Sequence, residues 1–532
     1  MHDVPRRDFL ARALRWGAWG AGTALGGVLL EGCAPSSTKR PVATTSLAVA
    51  ERASAADWRR LATSLRGVLV RPSSPSYARD RLLFDAALAP RRPQGIAYCA
   101  SNDDVARCVA FAREHAIPVT ARSGGHSYAG YSANDGLIVD LSRLHSVDVV
   151  DSDSALVGAG TRLIDLYDSL AKRGRLVPGG SCASVGFAGL ALGGGIGVLA
   201  RRYGLTCDNI LETTTVSADG SQLRVAPDSH PDLLWAQRGG GGGNFGVTTS
   251  FRVRTYPVGP LALFTLHFAW EAAQEVLMTW MHWIGHQADE LWANCLLQSE
   301  GLDGLNVEVS GVWCGSVNDL ATVVDSFVRA LGTKPTSSFV GGEDYLHAMA
   351  DEAGCSSLSL AACHLVGDGA GTLSRAAFRA KSSYVVAPWS DARVTRALNS
   401  LALVSRRAPD LGASLAFDSY GGAISRVDPA HSAFAHHDAL AGIQATHSWS
   451  TFSSPTQIAA GDEWLRELGA NVFESRDGAY VNYIDPTLED WLDAYYGASV
   501  AKLVRVKSAV DPDDLFHFAQ SIPVKTTPSA PG

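Results

Sequence analysis

The chain is expected to be an α+β protein in more than one part, on three observations. Short apolar strands alternate with helices from Gly95 to Arg173, the spacing of an α+β domain. At 532 residues the chain exceeds what a single hydrophobic core organises. A turn, Pro257-Val258-Gly259-Pro260, then interrupts the pattern. No internal repeat is visible.

The first forty residues stand apart. Arg6-Arg7-Asp8-Phe9-Leu10 precedes an apolar, small-residue run from Trp16 to Leu30, the layout of a secretory signal. The paired arginines point to the twin-arginine route, which exports folded proteins. The run is too short to span a bilayer comfortably, so no transmembrane domain is expected in the mature protein. Leu30-Glu31-Gly32-Cys33 resembles a lipoprotein cleavage box, with Glu31 a poor residue there. Lipid attachment at Cys33 and a soluble exported form are both open. Residues 1–35 are assigned to this signal and 36–56, polar and small, to a linker.

Ala56 to Val68 has helical periodicity. Gly95 to Cys99 reads as a strand, and Ser101 to His115 as a helix capped by Ser101 with an acidic first turn at Asp103 and Asp104. The strand Ile117 to Thr120 delivers the stretch Ala121-Arg122-Ser123-Gly124-Gly125-His126-Ser127-Tyr128-Ala129-Gly130. Such glycines admit positive φ and let backbone N–H groups converge on an anion such as a pyrophosphate. Leu137 to Asp140, Ser146 to Val150 and Ala155 to Gly158 follow as strands, and Thr161 to Arg173 as a helix. Ala183 to Ala200 reads as a buried, glycine-interrupted helix. Leu211 to Ser217 is a strand, Asp219-Gly220 a hairpin turn, and the glycine loop Gly239 to Gly246 feeds the strand Val247 to Tyr256. Beyond the turn at Pro257, strands such as Ala262 to Phe268, Asn306 to Trp313 and Ala413 to Phe417 alternate with helices at Ala272 to His286, Val317 to Leu331 and Asp391 to Arg407.

A net charge of −8 supplies no field for a nucleic-acid backbone, and no nucleic-acid-binding signature occurs. None of the nine cysteines has the paired spacing of a zinc or iron-sulfur site, and no metal centre is expected. In an exported protein Cys355 with Cys363, or Cys295 with Cys314, are candidate disulfides. Buried free thiols are the equal alternative. Trp270, Trp280, Trp283, Trp313 and Trp449 include candidates for stacking on a sugar, although most belong in a core.

The histidine loop gains meaning beside a second stretch, Pro178-Gly179-Gly180-Ser181-Cys182-Ala183-Ser184-Val185-Gly186-Phe187-Ala188-Gly189-Leu190-Ala191-Leu192-Gly193-Gly194-Gly195-Ile196-Gly197. Together they resemble the berberine-bridge-enzyme type of FAD-linked oxidase, in the vanillyl-alcohol-oxidase superfamily. The resemblance implies a PCMH-type FAD-binding domain over 57–257, an inserted antiparallel-sheet substrate domain carrying helices over 258–460, and a closing C-terminal segment over 461–524. It implies FAD attached twice, at the flavin 8α methyl through His126 and at C6 through Cys182. Arg122, Ser123, Gly124, Gly125, Ser127, Gly186, Gly189, Gly193, Gly194, Gly195, Gly197 and Asn482 are carried over as cofactor-binding residues, with Asp140 as a structural partner of Arg122. Leu190 departs from the histidine that many relatives have there, which leaves the subclass open.

The resemblance also assigns chemistry. Tyr483, last of Tyr480-Val481-Asn482-Tyr483, is the expected base, with a pKa lowered by neighbouring donors or positive charge. Tyr420 is a second catalytic candidate, in a segment Tyr420-Gly421-Gly422-Ala423-Ile424 matching a family strand across the flavin face, and Asn482 would hold base or substrate. Val185, three past the cysteine, matches the small residue of forms that admit oxygen. The implied activity is oxidation of an alcohol or hemiacetal of a sugar, oligosaccharide or glycosylated or aromatic metabolite, with O2 reduced to H2O2. Rival readings are a dehydrogenase using a quinone or cytochrome, and a flavin-loaded binding protein.

Overall fold

The computed structural model describes residues 53–300 and 304–525. The proposed signal, Cys33 and most of the linker lie outside the described residues. Four strands, β1 (Val68–Val70), β2 (Gly95–Tyr98), β3 (Val119–Arg122) and β4 (Leu137–Asp140), form a sheet in the order β1-β2-β4-β3. The pairs β2/β4 and β3/β4 are parallel and β1 is antiparallel at the edge. Leu137, Ile138 and Val139 have no exposed surface, as an uninterrupted apolar run in a strand covered on both faces requires. The helix Asn102–Glu114 packs nearby, its Asp104 N–H donating to Ser101 Oγ at 3.3 Å. The fully buried Asp104 carboxylate accepts from the N–H groups of Arg66, Gly67 and Ala100, each at 2.9 Å. It thereby fixes the chain entering β1 to the chain leaving β2.

A second, antiparallel sheet uses β5 (Val147–Val149), β6 (Ser154–Gly158), β8 (Ile210–Val216), β9 (Gln222–Val225) and β10 (Val247–Arg254) in the order β5-β6-β10-β8-β9. The short pair β7 (Arg175–Leu176) and β11 (Tyr256–Pro257) forms a separate two-stranded sheet. The expected helix over Ala183 to Ala200 is instead two short helices, Phe187–Gly193 and Ala200–Tyr203. Gly194 at φ 140° and Gly195 at φ 90° turn the chain between them, a path that side chains with a Cβ rarely follow. The first helix is likewise shorter than expected, Ala55–Ser64, because the chain extends into β1.

The third sheet has seven antiparallel strands: β12 (Leu261–Ala269), β13 (Leu291–Glu300), β14 (Leu305–Trp313), β15 (Ser337–Glu343), β16 (Ala377–Val385), β17 (Gly412–Ser419) and β18 (Ala441–Trp449). Their order is β15-β12-β14-β13-β17-β18-β16. Successive side chains point to opposite faces. One face, with Ala293, Cys295, Leu297, Leu415, Phe417 and Ile443, packs under the helices Ala273–Ile284, Val317–Leu331, Asp391–Arg407 and Pro455–Asn471. The last of these runs across position 460, and its buried Trp464, Leu465 and Leu468 belong to this core. The return to the first domain therefore starts after Val472, not at 461.

Three further expectations are corrected here. Tyr420 to Ile424 is not a strand: β17 ends at Ser419, and Gly421 and Gly422, at φ 85° and 60°, turn the chain away. Cys355 and Cys363 form a disulfide, whereas Cys295 and Cys314 are both free. Cys295 faces Val309 across β13/β14, five residues from Cys314, and at about 3.4 Å per residue that separation is beyond disulfide reach. Of the five tryptophans singled out, Trp280 and Trp283 are core, Trp270 and Trp313 pack against it, and Trp449 lines a cavity.

The C-terminal segment is locked back onto the first domain by a buried lysine. Lys507, with no exposed surface, donates to Asn244 O at 3.0 Å and Phe516 O at 2.8 Å and pairs with Asp511 at 2.6 Å. Ile522 N–H donates to Asn244 Oδ1 at 2.9 Å. These bonds hold the glycine loop 239–246 against the closing segment. Among the described residues no helix is long and apolar enough to cross a membrane.

Candidate active site

Between the first domain and the open face of the seven-stranded sheet lies a cavity of about 1410 Å³. It exceeds the roughly 300–1,000 Å³ of a cleft for one small ligand. Its two walls come from the motifs quoted above and from the sheet.

The histidine loop leaves β3 from a fixed base. Arg122 and Asp140, each almost wholly buried, pair at 2.5 Å between β3 and β4. Arg122 does not line the cavity; its pair with Asp140 supports the loop from behind. Ser123 Oγ donates to Ala159 O at 2.6 Å, and Arg162 Nη1 to Ser123 O at 3.1 Å. Gly124 and Gly186 meet backbone to backbone: a Cβ on Gly124 would lie 2.2 Å from Gly186 N, and one on Gly186 2.0 Å from Ser123 Oγ. The histidine and cysteine loops are thus in direct contact, which only glycine at both positions permits.

His126, Cys182, Val185, Gly124, Gly125, Ser123, Ser127, Gly186 and Gly189 all line the cavity. The His126 ring is stacked on Phe84, centroids 4.0 Å apart and planes 16° apart, and its Nε2 lies 3.0 Å from Ser184 Oγ. Burial, aided by the Arg162 charge, pushes the imidazole down to about 3, so it is neutral near pH 7. The Cys182 thiol opens into the cavity, and the protein packed around it raises its pKa.

Gly189, Gly242 and Gly243 form an open backbone trough in which an added Cβ would meet no atom closer than 3.6 Å. By contrast Gly193, Gly194, Gly195 and Gly197 do not line the cavity. They form the layer behind it: a Cβ at Gly193 would strike Asn482 Oδ1 at 2.1 Å, at Gly194 the Tyr480 ring at 2.9 Å, at Gly195 Thr206 Oγ1 at 2.2 Å, and at Gly197 Gly179 O at 1.7 Å. These four glycines serve close packing behind the cavity wall. The trough, the serine-bearing loop and the two reactive side chains at its edge fit a flavin dinucleotide. Backbone N–H groups in such loops suit its pyrophosphate.

The C-terminal segment supplies the third side. Tyr480 Oη accepts from Gly195 N–H at 2.6 Å and from Asn482 Nδ2 at 2.9 Å, and Asn482 Nδ2 also reaches Leu190 O at 3.0 Å. Asn482 lines the cavity, but its amide clamps this segment to the helix Phe187–Gly193. Tyr483 lines the cavity and stacks on Tyr128, centroids 5.3 Å and planes 14° apart. Tyr128 Oη accepts from Gln444 Nε2 of β18 at 2.8 Å.

The expected lowering of the Tyr483 pKa is not found. Burial raises it well above the usual phenol range, and the charges of Tyr128 and Asp418 add to the rise. Asp418, on the cavity face of β17, accepts from Asn294 Nδ2 at 2.6 Å. Burial lifts its carboxyl to about 6 despite that bond. Tyr420 is displaced from the expected role: it is 1 % exposed, packs edge-on against Tyr384 at 5.5 Å, and does not line the cavity. Its carbonyl accepts from the buried Arg201 guanidinium.

Several cavity residues escaped the sequence reading. Tyr128 and Ser184 lie two places past His126 and Cys182, inside the quoted motifs, where residue type alone does not set them apart. Asp418 lies two before Tyr420, where the period of a strand was the available signal. Trp292, Glu308 and Gln444 carry no signal beyond that period. Glu343, His347 and Asp351 bring ligand atoms within 4.8 Å of one another near the same wall, a grouping that cysteine and histidine spacing did not reveal.

Comparison with known proteins agrees with this geometry. Residues 93–226 match the model of an FAD-binding domain, and residues 479–523 the berberine and berberine-like model. An uncharacterised FAD-linked oxidoreductase of Bacillus subtilis, YgaK, is 31 % identical over 467 residues, 87 % of this chain and 98 % of that protein. A glucooligosaccharide oxidase of Sarocladium strictum is 28 % identical over 455 residues, 81 % and 87 % of the two chains. Among solved structures, BBE-like 1 of Physcomitrella patens superposes with a TM-score of 0.79 at 27 % identity, covering 88 % of this chain and 99 % of that one. With the paired loops, the glycine trough and the closing segment in place, the chain belongs to the berberine-bridge-enzyme-like FAD-linked oxidases of the vanillyl-alcohol-oxidase superfamily.

Proposed function

We propose that the protein carries FAD bonded to both His126 and Cys182 and oxidises an alcohol or hemiacetal carbon of a sugar or oligosaccharide, with O2 reduced to H2O2. The observation that carries this reading is that His126, Cys182, Val185 and Tyr483 face one cavity whose opposite wall carries polar side chains among apolar ones. Bound FAD supplies the hydride acceptor at N5. The chain's own task is to seat the donor carbon and remove the hydroxyl proton. Tyr483 is the group that meets that proton, but a phenol this hard to ionise does not retain a negative charge. Asp418, titrating near 6 on the facing sheet wall, is the final acceptor at neutral pH. Asn294, Gln298, Ser310, Gln444 and Thr446 line the sheet side with donors and acceptors suited to sugar hydroxyls, and Trp449 adds an aromatic face. The glucooligosaccharide oxidase among the relatives favours the same substrate class. Val185 leaves space for oxygen beside the anchors.

The test joins two measurements. Acid-denatured protein is expected to stay yellow, with an intact mass heavier by FAD, and to lose the colour only when His126→Ala and Cys182→Ala are combined. Oxygen uptake with H2O2 release is then expected on oligosaccharides. Complete release of flavin by acid refutes the double attachment, and flavin reduction by sugars without oxygen consumption refutes the oxidase in favour of a dehydrogenase. Twin-arginine export is proposed with it, and a mature protein that retains Arg6-Arg7 in the cytoplasm refutes it.

A further inference from the structure

The two proposed attachment loops share one side chain whose role is not explained by packing alone. Ser184 comes from the cysteine loop, two residues past Cys182, and is 5 % exposed. Its Oγ lies 3.0 Å from Nε2 of His126, on the other loop. A ring that stays neutral to about pH 3 carries one N–H and one lone pair, and which nitrogen has which is decided by its hydrogen bonds. The Ser184 main chain also bonds to this imidazole and favours its protonation, and a carbonyl only accepts. The proton is therefore drawn to the side of the ring that faces Ser184.

We infer that Ser184 is the positioning residue for attachment at His126: it holds the hydrogen on Nε2, so that the Nδ1 lone pair is the one that bonds the flavin methyl carbon. Phe84, stacked at 4.0 Å and 16°, fixes the ring plane, and Ser184 fixes its rotation and tautomer. The step balances as an oxidation. A C–N bond forms between the methyl carbon and Nδ1, one methyl hydrogen and the Nε2 hydrogen leave as protons, and two electrons pass to the flavin. Dioxygen, the acceptor already required by the proposed activity, takes both electrons and two protons as H2O2. Positive charge grows on the imidazole while the bond forms, and the N–H···O contact strengthens with it. Because Ser184 belongs to the cysteine loop, the histidine is correctly set only when that loop is seated against Gly124. The inference rests on the proposed attachment at His126.

The experiment uses full-length protein produced under riboflavin limitation and then given FAD. Flavin on the His126 peptide and on the Cys182 peptide is followed separately by mass spectrometry, and the bonded nitrogen is assigned by NMR of the isolated flavin peptide. In Ser184→Ala the His126 bond is expected to form about five- to tenfold more slowly, the worth of one neutral hydrogen bond. The Cys182 bond is expected to keep the wild-type rate, and Ser184→Thr to restore the His126 rate. Unchanged rates in Ser184→Ala, equal slowing of both bonds, or a wild-type linkage through Nε2 each overturn the role of Ser184. A wild-type protein with flavin on Cys182 alone, or on neither residue, instead overturns the attachment reading on which the inference stands.

Discussion

On the cofactor side the cavity wall is largely backbone: Gly124, Gly125, Gly186, Gly189 and Gly241 to Gly243 line it, and the loops touch at distances no Cβ tolerates. On the sheet side the wall is made of side chains, Trp292, Asn294, Glu308, Ser310, Asp418 and Gln444, raised from strands whose hydrogen bonds do not depend on them. The first wall is fixed by sterics where the loops touch, at Gly124 and Gly186, and by positive φ at Gly125, Gly241 and Gly243. The second is fixed only in its alternation, and the identity of each residue is free to follow the substrate. A family can therefore keep one wall and vary the other.

The sharpest break between the walls is expected at the point where they meet over the reacting carbon. Tyr483→Phe removes the hydroxyl proposed to receive the substrate proton and leaves the stack on Tyr128 in place. Turnover is expected to fall about 10²–10⁴-fold, with the flavin content and absorption spectrum unchanged. Asp418→Asn is expected to fall in the same range and to remove a pH dependence. The Asp418 carboxyl, raised to about 6 by burial, accepts a proton only when ionised, so kcat/KM should rise with pH through about 6 and level above it. The Asn variant should lack that limb. A wild-type rate that is flat from pH 5 to 8 excludes Asp418 as the proton acceptor.

A methyl group added to each wall sharpens the contrast at the next scale. Gly186→Ala puts a Cβ 2.0 Å from Ser123 Oγ and 2.2 Å from Gly124 N, and overpacking of this kind costs about 1–3 kcal/mol. Lower stability in denaturant titration and loss of covalently held flavin are expected together. Ser310→Ala on β14 changes only one side chain in the open cavity, and the expected result is full flavin content and a shifted KM. Equal flavin loss in both variants removes the distinction drawn between the walls.

The same contrast explains what the sequence disclosed. The boundaries of the helices Val317–Leu331 and Asp391–Arg407 were legible because apolar periodicity and end residues coincide there. The loops that bear the proposed anchors were legible because close backbone approach forces a dense glycine pattern. That density also misled: Gly193 to Gly197 read like Gly124 and Gly186, although they pack against Asn482, Tyr480 and Thr206 rather than line the cavity. A glycine required by a neighbouring side chain and one required by a ligand look alike in a sequence. Tyr420 was placed at the site by the family strand its segment matches, whereas the positive φ angles of Gly421 and Gly422 carry the chain out of the sheet. Asp418, Trp292 and Gln444 were not legible, since period-2 alternation names the face of a strand and says nothing of what lies across a cavity from it.

The smallest expected effect tests whether the sheet wall reaches the chemistry through more than Asp418. Gln444 Nε2 donates to Tyr128 Oη at 2.8 Å, and Tyr128 lies flat against Tyr483. Gln444 is thus linked to Tyr483, the proposed base, through one hydrogen bond and one stacked ring. Removing the donor in Gln444→Leu, close in volume and without a polar group, forfeits about 1 kcal/mol of orientation, or about fivefold in kcat. Gln444 meets the His126 loop only through the Tyr128 hydroxyl, and the loop's own bonds from Ser123 and Arg162 remain, so flavin content is expected to stay at the wild-type level. If the Leu variant instead binds substrate more weakly with kcat unchanged, Gln444 contacts the sugar directly, and the stack of Tyr128 on Tyr483 holds without help from the sheet.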